Sequence, residues 1–246
     1  MPQTTINKQT TSLIIASVLA LAPSVALSNE AELTGTGELG FSDSTGNTVS
    51  TSLYTALKLA YNKENYAIKS ALELSYKSEN GTQTEERYAF DSQVNRYYSA
   101  DKSYYSFVGV KLEKSVFEDI ELDSTLSVGL GKTLYNTEAT NLNGQLGAGY
   151  QNTDYITAGS TSQSQVAYIA KLDLSHKINQ QVNFTQDLSY ATGTEQTKIE
   201  SNTGFTIKVA EKMNLKAAYK YRNNSNPAAG AKKTDTQTLL TLTYDF

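Results

Sequence analysis

The chain has 246 residues, with 21 Lys+Arg against 25 Asp+Glu and a formal net charge of −4, so it lacks the excess of basic residues that is typical of nucleic-acid-binding proteins. Only 39% of the residues are hydrophobic and the mean hydropathy is −0.43, which excludes a bundle of transmembrane helices. The absence of cysteine excludes a disulfide framework, thiol catalysis and Cys-ligated metals. A content of 17 Tyr and 7 Phe with only 3 Pro favours β-structure over disorder.

The N-terminus contains the one long apolar stretch, from Ser12 to Ala26, after a short polar segment whose only charge is Lys8. The stretch is too short to span a bilayer and has small residues at its end, as is typical of a signal peptide. We predict a signal peptide over residues 1–28, cleaved after Ala26 or Ser28, and a mature domain over 29–246. The alternative, a retained membrane anchor, is disfavoured by Pro23 and the small residues.

The mature chain alternates apolar and polar residues over long runs, and a period of two is the signal of a β-strand. Most of these runs are longer than the strands of soluble sheets, whereas about nine to eleven tilted residues cross a membrane as a strand. The pattern therefore predicts an all-β fold, a transmembrane antiparallel β-barrel of the outer-membrane type. We expect about twelve strands, at 33–42, 48–61, 65–78, 86–98, 103–114, 121–134, 140–151, 165–175, 181–192, 197–210, 213–223 and 235–246.

The connections between the predicted strands differ in length. Those after even-numbered strands are short, and those after strands 3, 7 and 11 are longer and polar. Short turns on one side, longer loops on the other and an even strand number match a bacterial outer-membrane barrel with both termini in the periplasm. We expect a monomer whose partners are outer-membrane lipid and lipopolysaccharide.

The last residues place Leu242, Tyr244 and Phe246 on alternating positions. This ending resembles the β-signal that the outer-membrane assembly machinery reads, and the resemblance implies that machinery as a further partner.

The polar face of the predicted strands would line the lumen, where cations and anions are nearly balanced. Strands 5 and 11 lie six apart in a ring of twelve and are therefore opposite one another. We single out Lys220 and Arg222 on one wall, and Glu113, Glu121 and Asp123 on the other, as candidate lumen-lining residues that set a transverse field. The alternative is that these residues only pair with adjacent strands and loops.

Residues 37–48 read GELGFSDSTGNT, a glycine-punctuated strand followed by a Thr-Gly-Asn turn, and further glycines occur at Gly129, Gly131 and in GQLGAGY at 144–150. With these features the stretch from about 35 to 150 resembles the YdiY-like family of salt-induced outer-membrane proteins, domain of unknown function 481. The resemblance implies an outer-membrane barrel and supplies no catalytic residue.

The residues offer little for catalysis or metal binding. The only histidine, His176, should lie at the periplasmic rim facing lipid, where a hydrolase triad is not expected. Glu118, Asp119, Glu121 and Asp123 form an acidic patch without the spacing of a calcium loop. We predict no enzyme activity, no cofactor and no metal site, and a weak divalent-cation contact at the acidic patch is the alternative to a solvated loop.

Two functions stay open on this basis. Twelve tilted strands close at a backbone radius of about 12 Å, and inward charged side chains take up about half of it. The first function is a narrow passive channel for ions or small polar solutes. The second is a non-conducting barrel with a structural, surface-interaction or envelope-stress role, and an outer-membrane hydrolase is a third and weaker option.

Overall fold

The computed structural model describes residues 32–44, 50–157 and 160–246. The predicted signal peptide and the Thr-Gly-Asn turn at 45–47 lie outside these residues. None of the helical structure within them has the length and hydropathy to cross a membrane. The elements in chain order are β1 (Glu32–Ser44), β2 (Ser50–Asn62), β3 (Tyr66–Glu79), β4 (Thr82–Tyr97), β5 (Tyr104–Ser115), a 3₁₀ turn (Val116–Glu118), β6 (Ile120–Asn136), β7 (Thr140–Tyr155), β8 (Gln163–Lys177), β9 (Val182–Thr192), β10 (Thr197–Lys208), β11 (Met213–Asn224) and β12 (Thr234–Asp245).

The twelve strands form one closed barrel in which each strand is antiparallel to its neighbours in sequence, and β1 closes on β12. This confirms the predicted fold class. The end of the barrel that carries Glu32, Phe246 and the connections after even-numbered strands is called the turn end below. The opposite end, with the connections after odd-numbered strands, is called the loop end.

The connection between β3 and β4 differs from the prediction of a longer polar loop. It is a tight hairpin at the loop end, with only Asn80 and Gly81 between the strands, and both have positive φ, 50° and 78°. Asn-Gly is the preferred pair for a two-residue hairpin turn because both residues tolerate this conformation. The polar residues on either side of the turn, assigned to a loop by their composition, extend the two strands instead.

The alternation of the sequence separates the two faces of the wall. On β8, Val166 and Tyr168 are 58% and 68% exposed, whereas their neighbours Ala167 and Ile169 are 1% and 7% exposed. Since residues of one parity point outward and those of the other point inward, the outer surface is a broad apolar band suited to lipid. The lumen face is mostly polar and charged.

One part of the lumen wall, on β5, β6 and β7, has an apolar lining. Tyr105 and Phe107 are 5% and 2% exposed, and their rings lie against Gly131 and Gly129. A side chain at either glycine would overlap the ring. The glycines noted in the sequence therefore make room for two aromatic rings beside the wall.

The strands β1 and β12 close the barrel over only part of their length. Their ladder runs from Thr36–Leu39 on β1 to Leu242–Asp245 on β12, whereas β1 pairs with β2 along its whole length. In the described strands the ladder stops before Gly40 and Thr241, and no register pair continues it toward the loop end. The seam between β1 and β12 is thus laddered at the turn end alone.

A test of the face assignment uses two adjacent residues of β2. Leu57 is 40% exposed on the outer face, so Leu57→Lys places a charge in the apolar band and should lower the free energy of unfolding by about 2–4 kcal/mol. Lys58→Gln is the matched control, because Lys58 points inward and its partner Glu38 keeps a second lysine, Lys216. Urea titration of the refolded barrel in lipid should show a large loss for the first variant and a small one for the second. Equal losses would contradict the assignment.

Candidate functional site in the lumen

The charged side chains of the lumen meet in the loop-end half of the barrel. On the wall formed by β4 and β5, Arg87 binds Glu113 through two hydrogen bonds, Nε to Oε1 at 3.0 Å and Nη2 to Oε2 at 2.7 Å. Both residues are buried, with 9% and 6% of their surface exposed. A bidentate Arg–carboxylate pair of this kind fixes both side chains in one geometry.

Glu113 also receives a hydrogen bond from the opposite wall. Arg222 on β11 donates from Nη1 to Glu113 Oε1 at 3.2 Å and from Nη2 to Glu118 Oε1 at 2.6 Å. β5 and β11 lie six strands apart in the ring, so the Arg222–Glu113 pair crosses the full width of the lumen. Glu118 belongs to the 3₁₀ turn of the loop end, and burial raises the pKa of its carboxyl while Arg222 lowers it.

Lys220 makes a second bridge across the lumen. Its Nζ lies 2.7 Å from Glu73 Oε2 on β3 and 3.1 Å from the Tyr54 hydroxyl, and 4.7 Å from the centre of the Tyr54 ring. Arg87 reaches the same Glu73 carboxylate at 3.7 Å. The two bridges therefore share one continuous network, in which cations and carboxylates alternate.

The other side of the lumen is crossed at a similar level. Lys198 on β10 lies 2.7 Å from Asp123 on β6, and Asp123 also accepts hydrogen bonds from Gln151 and Thr153 on β7. A fourth bridge joins Lys111 on β5 to Glu200 on β10 at 2.6 Å. We call the four cross-lumen bridges, made by Arg222, Lys220, Lys198 and Lys111, the constriction.

Two spaces lie on either side of the constriction. One opens at the loop end between the network and the β11–β12 loop, where Lys232 and Lys233 line it. The other lies in the middle of the lumen and is lined by residues including Asp91 and Lys171. Lys198 and Glu200 line both spaces, so one layer of ion-paired side chains separates them.

The turn-end half of the lumen is less tightly paired. It holds one triad, in which Lys58 and Lys216 bind the Glu38 carboxylate at 3.0 and 2.9 Å. Several further lumen charges, in the middle of the lumen and in this half, make no ion pair with another described residue. They include Lys69, Asp91, Lys171, Asp173 and Asp187.

The structure brings four of the five candidate lumen residues into the constriction. Lys220, Arg222, Glu113 and Asp123 all point inward and pair across the lumen, not merely with adjacent strands. Glu121 lies elsewhere. It is the extra residue of a bulge in β6, between Ile120 and Leu122, and therefore departs from the alternation of the strand. It is exposed and binds Lys114 at 2.9 Å on the outer face.

The remaining predicted residues lie at the barrel's turn end. Leu242 and Tyr244 face outward on β12, and Phe246 is stacked on Tyr244 with ring centroids 6.4 Å apart. His176 has the parity of the outward-facing Leu172, and its Nδ1 lies 2.8 Å from the Thr140 hydroxyl. This ring therefore has a polar partner in the neighbouring strand.

The acidic patch at the β5–β6 connection is divided by the fold. Glu118 and Asp123 turn inward and bind the cations Arg222 and Lys198, whereas Glu121 binds Lys114 outside. Among the described residues no group of three acidic or histidine side chains has the arrangement of a metal site. Three of the four carboxylates are thus bound by cations of the protein itself, and the fourth, Asp119, accepts hydrogen bonds from the backbone N–H and the hydroxyl of Thr157.

Arg87, Glu73, Lys111, Lys198 and Glu200 complete the constriction and were not singled out by the sequence analysis. The alternation of inward and outward positions along each strand is enough to place each of them on the lumen face. Their pairing depends on which strands lie opposite and on the relative height of each residue, and this follows from the tilt and stagger of the closed barrel. An alternating pattern does not contain that information.

Two solved structures show the same kind of fold at low sequence identity. The COG4313 outer-membrane channel from Pseudomonas putida F1 has a TM-score of 0.54 and 12% identity, covering 90% of this chain and 97% of the other. The NanC porin has a TM-score of 0.52 and 12% identity, covering 87% and 98%. These likenesses concern the barrel fold, which is that of outer-membrane barrels.

No curated protein matches the sequence. A family model, described as protein of unknown function DUF481, matches residues 37–246. The match extends beyond the stretch of about 35 to 150 on which the resemblance rested, through β8 to β12. The chain therefore belongs to the DUF481 family.

Proposed function

We propose that this protein is a narrow passive channel for ions or small polar solutes in the bacterial outer membrane. The observation that carries the proposal is the organisation of the lumen, in which two polar spaces are separated by a single layer that Lys198 and Glu200 line on both sides. A solute that moves between the two spaces would need to displace the side chains of this layer. The likeness of the fold to a channel and a porin supports the same reading.

The constriction consists of polar and charged atoms, and these can replace the water molecules that surround a permeating ion. Ammonium, guanidinium and carboxylate groups alternate across it, as in the Lys220–Glu73 and Arg222–Glu113 pairs. An ion passing through exchanges hydration for these groups, which is how charged side chains select ions at close range. The unpaired charges of the turn-end half would keep that side of the lumen hydrated.

The second candidate is a non-conducting barrel, and the cross-lumen pairs favour it directly. If the Arg222–Glu113 and Lys111–Glu200 bridges hold permanently, they form a plug. The barrel would then have a structural or surface-interaction role. The two candidates differ in conductance whatever the solute is.

We propose further that the turn end faces the periplasm, with both ends of the barrel chain on that side. The turn end has short connections and the loop end carries the β7–β8 and β11–β12 loops, a distribution typical of outer-membrane barrels.

The experiment that tests the channel is single-channel recording on refolded protein in a planar bilayer. We expect discrete current steps much smaller than those of sixteen-stranded porins, since twelve strands enclose a narrower lumen. Lys114→Gln should leave the steps unchanged, because Lys114 lies on the outer face. A correctly folded barrel that gives no current would favour the plugged, non-conducting candidate.

A further inference from the structure

The seam between β1 and β12 has a structure unlike that of the other strand contacts. Its ladder ends at Leu39 and Leu242, and toward the loop end β1 and β12 keep partners only on their far sides, β2 and β11. Backbone groups facing hydrocarbon without partners are costly, so spanning barrels normally pair every strand along its length. An incompletely paired seam at membrane depth therefore calls for an explanation.

The two strands nevertheless stay close where the ladder ends. A Cβ on Gly40 would lie 2.9 Å from Thr241 Cγ2 and 3.1 Å from the Leu240 carbonyl oxygen. The seam is closed here by contact between small groups, without the register pairs that hold the rest of the wall. Contacts of this kind are lost more easily than a ladder of hydrogen bonds.

The lumen side of the seam contains a polar atom without a partner. Thr241 points inward and is 2% exposed, and its hydroxyl oxygen has no hydrogen-bond partner in the described residues. A buried hydroxyl left unpaired is unfavourable unless another group binds it in some state of the protein. This hydroxyl is available to the polar head of a molecule that enters the lumen through the seam.

The membrane side of the seam is apolar. Phe41 on β1 and Leu240 on β12 are 65% and 63% exposed, and the next inward residue of β12 toward the loop end, Leu239, adds an apolar side chain inside the lumen. A hydrocarbon chain lying between these residues would contact apolar groups on both sides of the wall. The polar hydroxyl of Thr241 lies directly beside this path.

The turn-end part of the same seam is reinforced. Gly35 and Phe246 exchange two backbone hydrogen bonds of 2.9 Å, and inside the lumen Lys216 on β11 reaches past β12 to bind Glu38 on β1. Thr36 also donates a hydrogen bond of 2.7 Å to Asp245. The turn-end part of the seam is therefore held closed by bonds that its loop-end half lacks.

We propose that the loop-end half of the β1–β12 seam is a lateral portal through which a single-chain amphiphile exchanges between the membrane and the lumen. The alkyl chain lies between Phe41 and Leu240, and the polar head binds the Thr241 hydroxyl. The portal goes beyond the axial channel proposed above and does not require axial conductance, since the path runs through the wall.

The first test labels one cysteine at a time, which is possible because the chain contains none. Thr241→Cys places a thiol at the seam, and Thr153→Cys is the matched control, since Thr153 is also inward-facing and 2% exposed but lies between fully paired strands. The barrels are refolded in phosphatidylcholine vesicles, and each is treated with N-hexadecylmaleimide in the bilayer or with a sulfonated maleimide in the water.

We expect the hexadecyl reagent to modify Cys at 241 at least tenfold faster than Cys at 153, after each rate is divided by that of the water-soluble reagent. Thr153 lies nearer the loop-end rim. If the hexadecyl reagent entered the lumen around this rim and not through the seam, the control Thr153→Cys would therefore be labelled faster. Equal corrected rates, or faster labelling at 153, would overturn the portal.

A second test avoids thiols and the hydroxyl at 241, in case that variant does not fold. The chain has no tryptophan, so Leu239→Trp and Ile169→Trp each give one lumen-facing fluorophore, the first beside the seam and the second on β8. Vesicles with dibrominated acyl chains should quench the tryptophan at 239 at least twofold more than that at 169. Equal quenching would overturn the portal, whether or not the barrel conducts in the bilayer recordings.

Discussion

Replacing Lys220 and Arg222 together by Gln should shift the channel strongly toward cation selectivity. The change removes two cations from the constriction and leaves Glu73, Glu113 and Glu118 with less positive charge around them. In a tenfold KCl gradient we expect the reversal potential to move toward the cation limit by about 20 mV of the ~59 mV that perfect selectivity gives. Single-channel recording at both polarities measures the shift.

The opposite substitution provides the control. Glu113→Gln leaves Arg87 and Arg222 without their shared carboxylate, so the reversal potential should move toward the anion limit. Lys114→Gln removes a cation from the outer face and should not move it. If the double variant conducts with an unchanged reversal potential, permeation does not pass between these walls. The ion-paired side chains of the constriction would then have a structural role only, beside a permeation path that runs elsewhere.

The constriction also shows how far the sequence determines the site. Alternation along β11 places Lys220 and Arg222 inward, and the even strand number places β5 opposite, so the pattern puts Arg222 and Glu113 on facing walls. The pattern does not give the level of each residue along the barrel axis. The stagger of the closed barrel decides that Lys198 meets Asp123 and that Lys111 meets Glu200.

Local irregularities account for the remaining differences between sequence and structure. A bulge near Ile120 moves Glu121 to the outer face. One extra residue in a strand reverses which of the preceding residues point inward and which point outward. A longer polar loop was predicted in place of the Asn80–Gly81 turn because the strands beside the turn are rich in Ser, Thr, Glu and Gln. Those residues also compose loops, so period-two alternation with few apolar members is a weak signal.

The sequence does not predict where the seam stops pairing. β1 reads FSDS after Gly40 and β12 reads TDTQTLL before Thr241, so the apolar–polar alternation weakens on both strands toward the loop end, but this pattern does not tell where the ladder ends. Pairing between the first and last strands is the least local contact of the barrel and has no connecting turn to set its register. Closure there depends on the residues at the turn end.

Deletion of Phe246 should therefore destabilise the barrel and lower its amount in the outer membrane. Phe246 exchanges two backbone hydrogen bonds with Gly35 and covers it with its ring, at the end of a ladder that reaches only to Leu39. Two hydrogen bonds at about 1 kcal/mol each predict a loss of about 2 kcal/mol in the free energy of unfolding. Urea titration of the refolded protein in lipid measures the loss, and cell fractionation measures the amount assembled.

A variant at the facing residue separates closure of the seam from recognition by the assembly machinery. Gly35→Val would displace the Phe246 ring, because a Cβ at this position overlaps it, yet Leu242, Tyr244 and Phe246 are all retained. If seam closure is the main role of Phe246, Gly35→Val loses stability in the refolded barrel as the deletion does. If the three residues also act as an assembly signal, the deletion reduces the assembled amount further than Gly35→Val at equal loss of stability. Normal stability and normal assembly of the deletion variant would contradict both roles, and closure would then rest on the Lys216–Glu38 pair and the Thr36–Leu39 ladder alone.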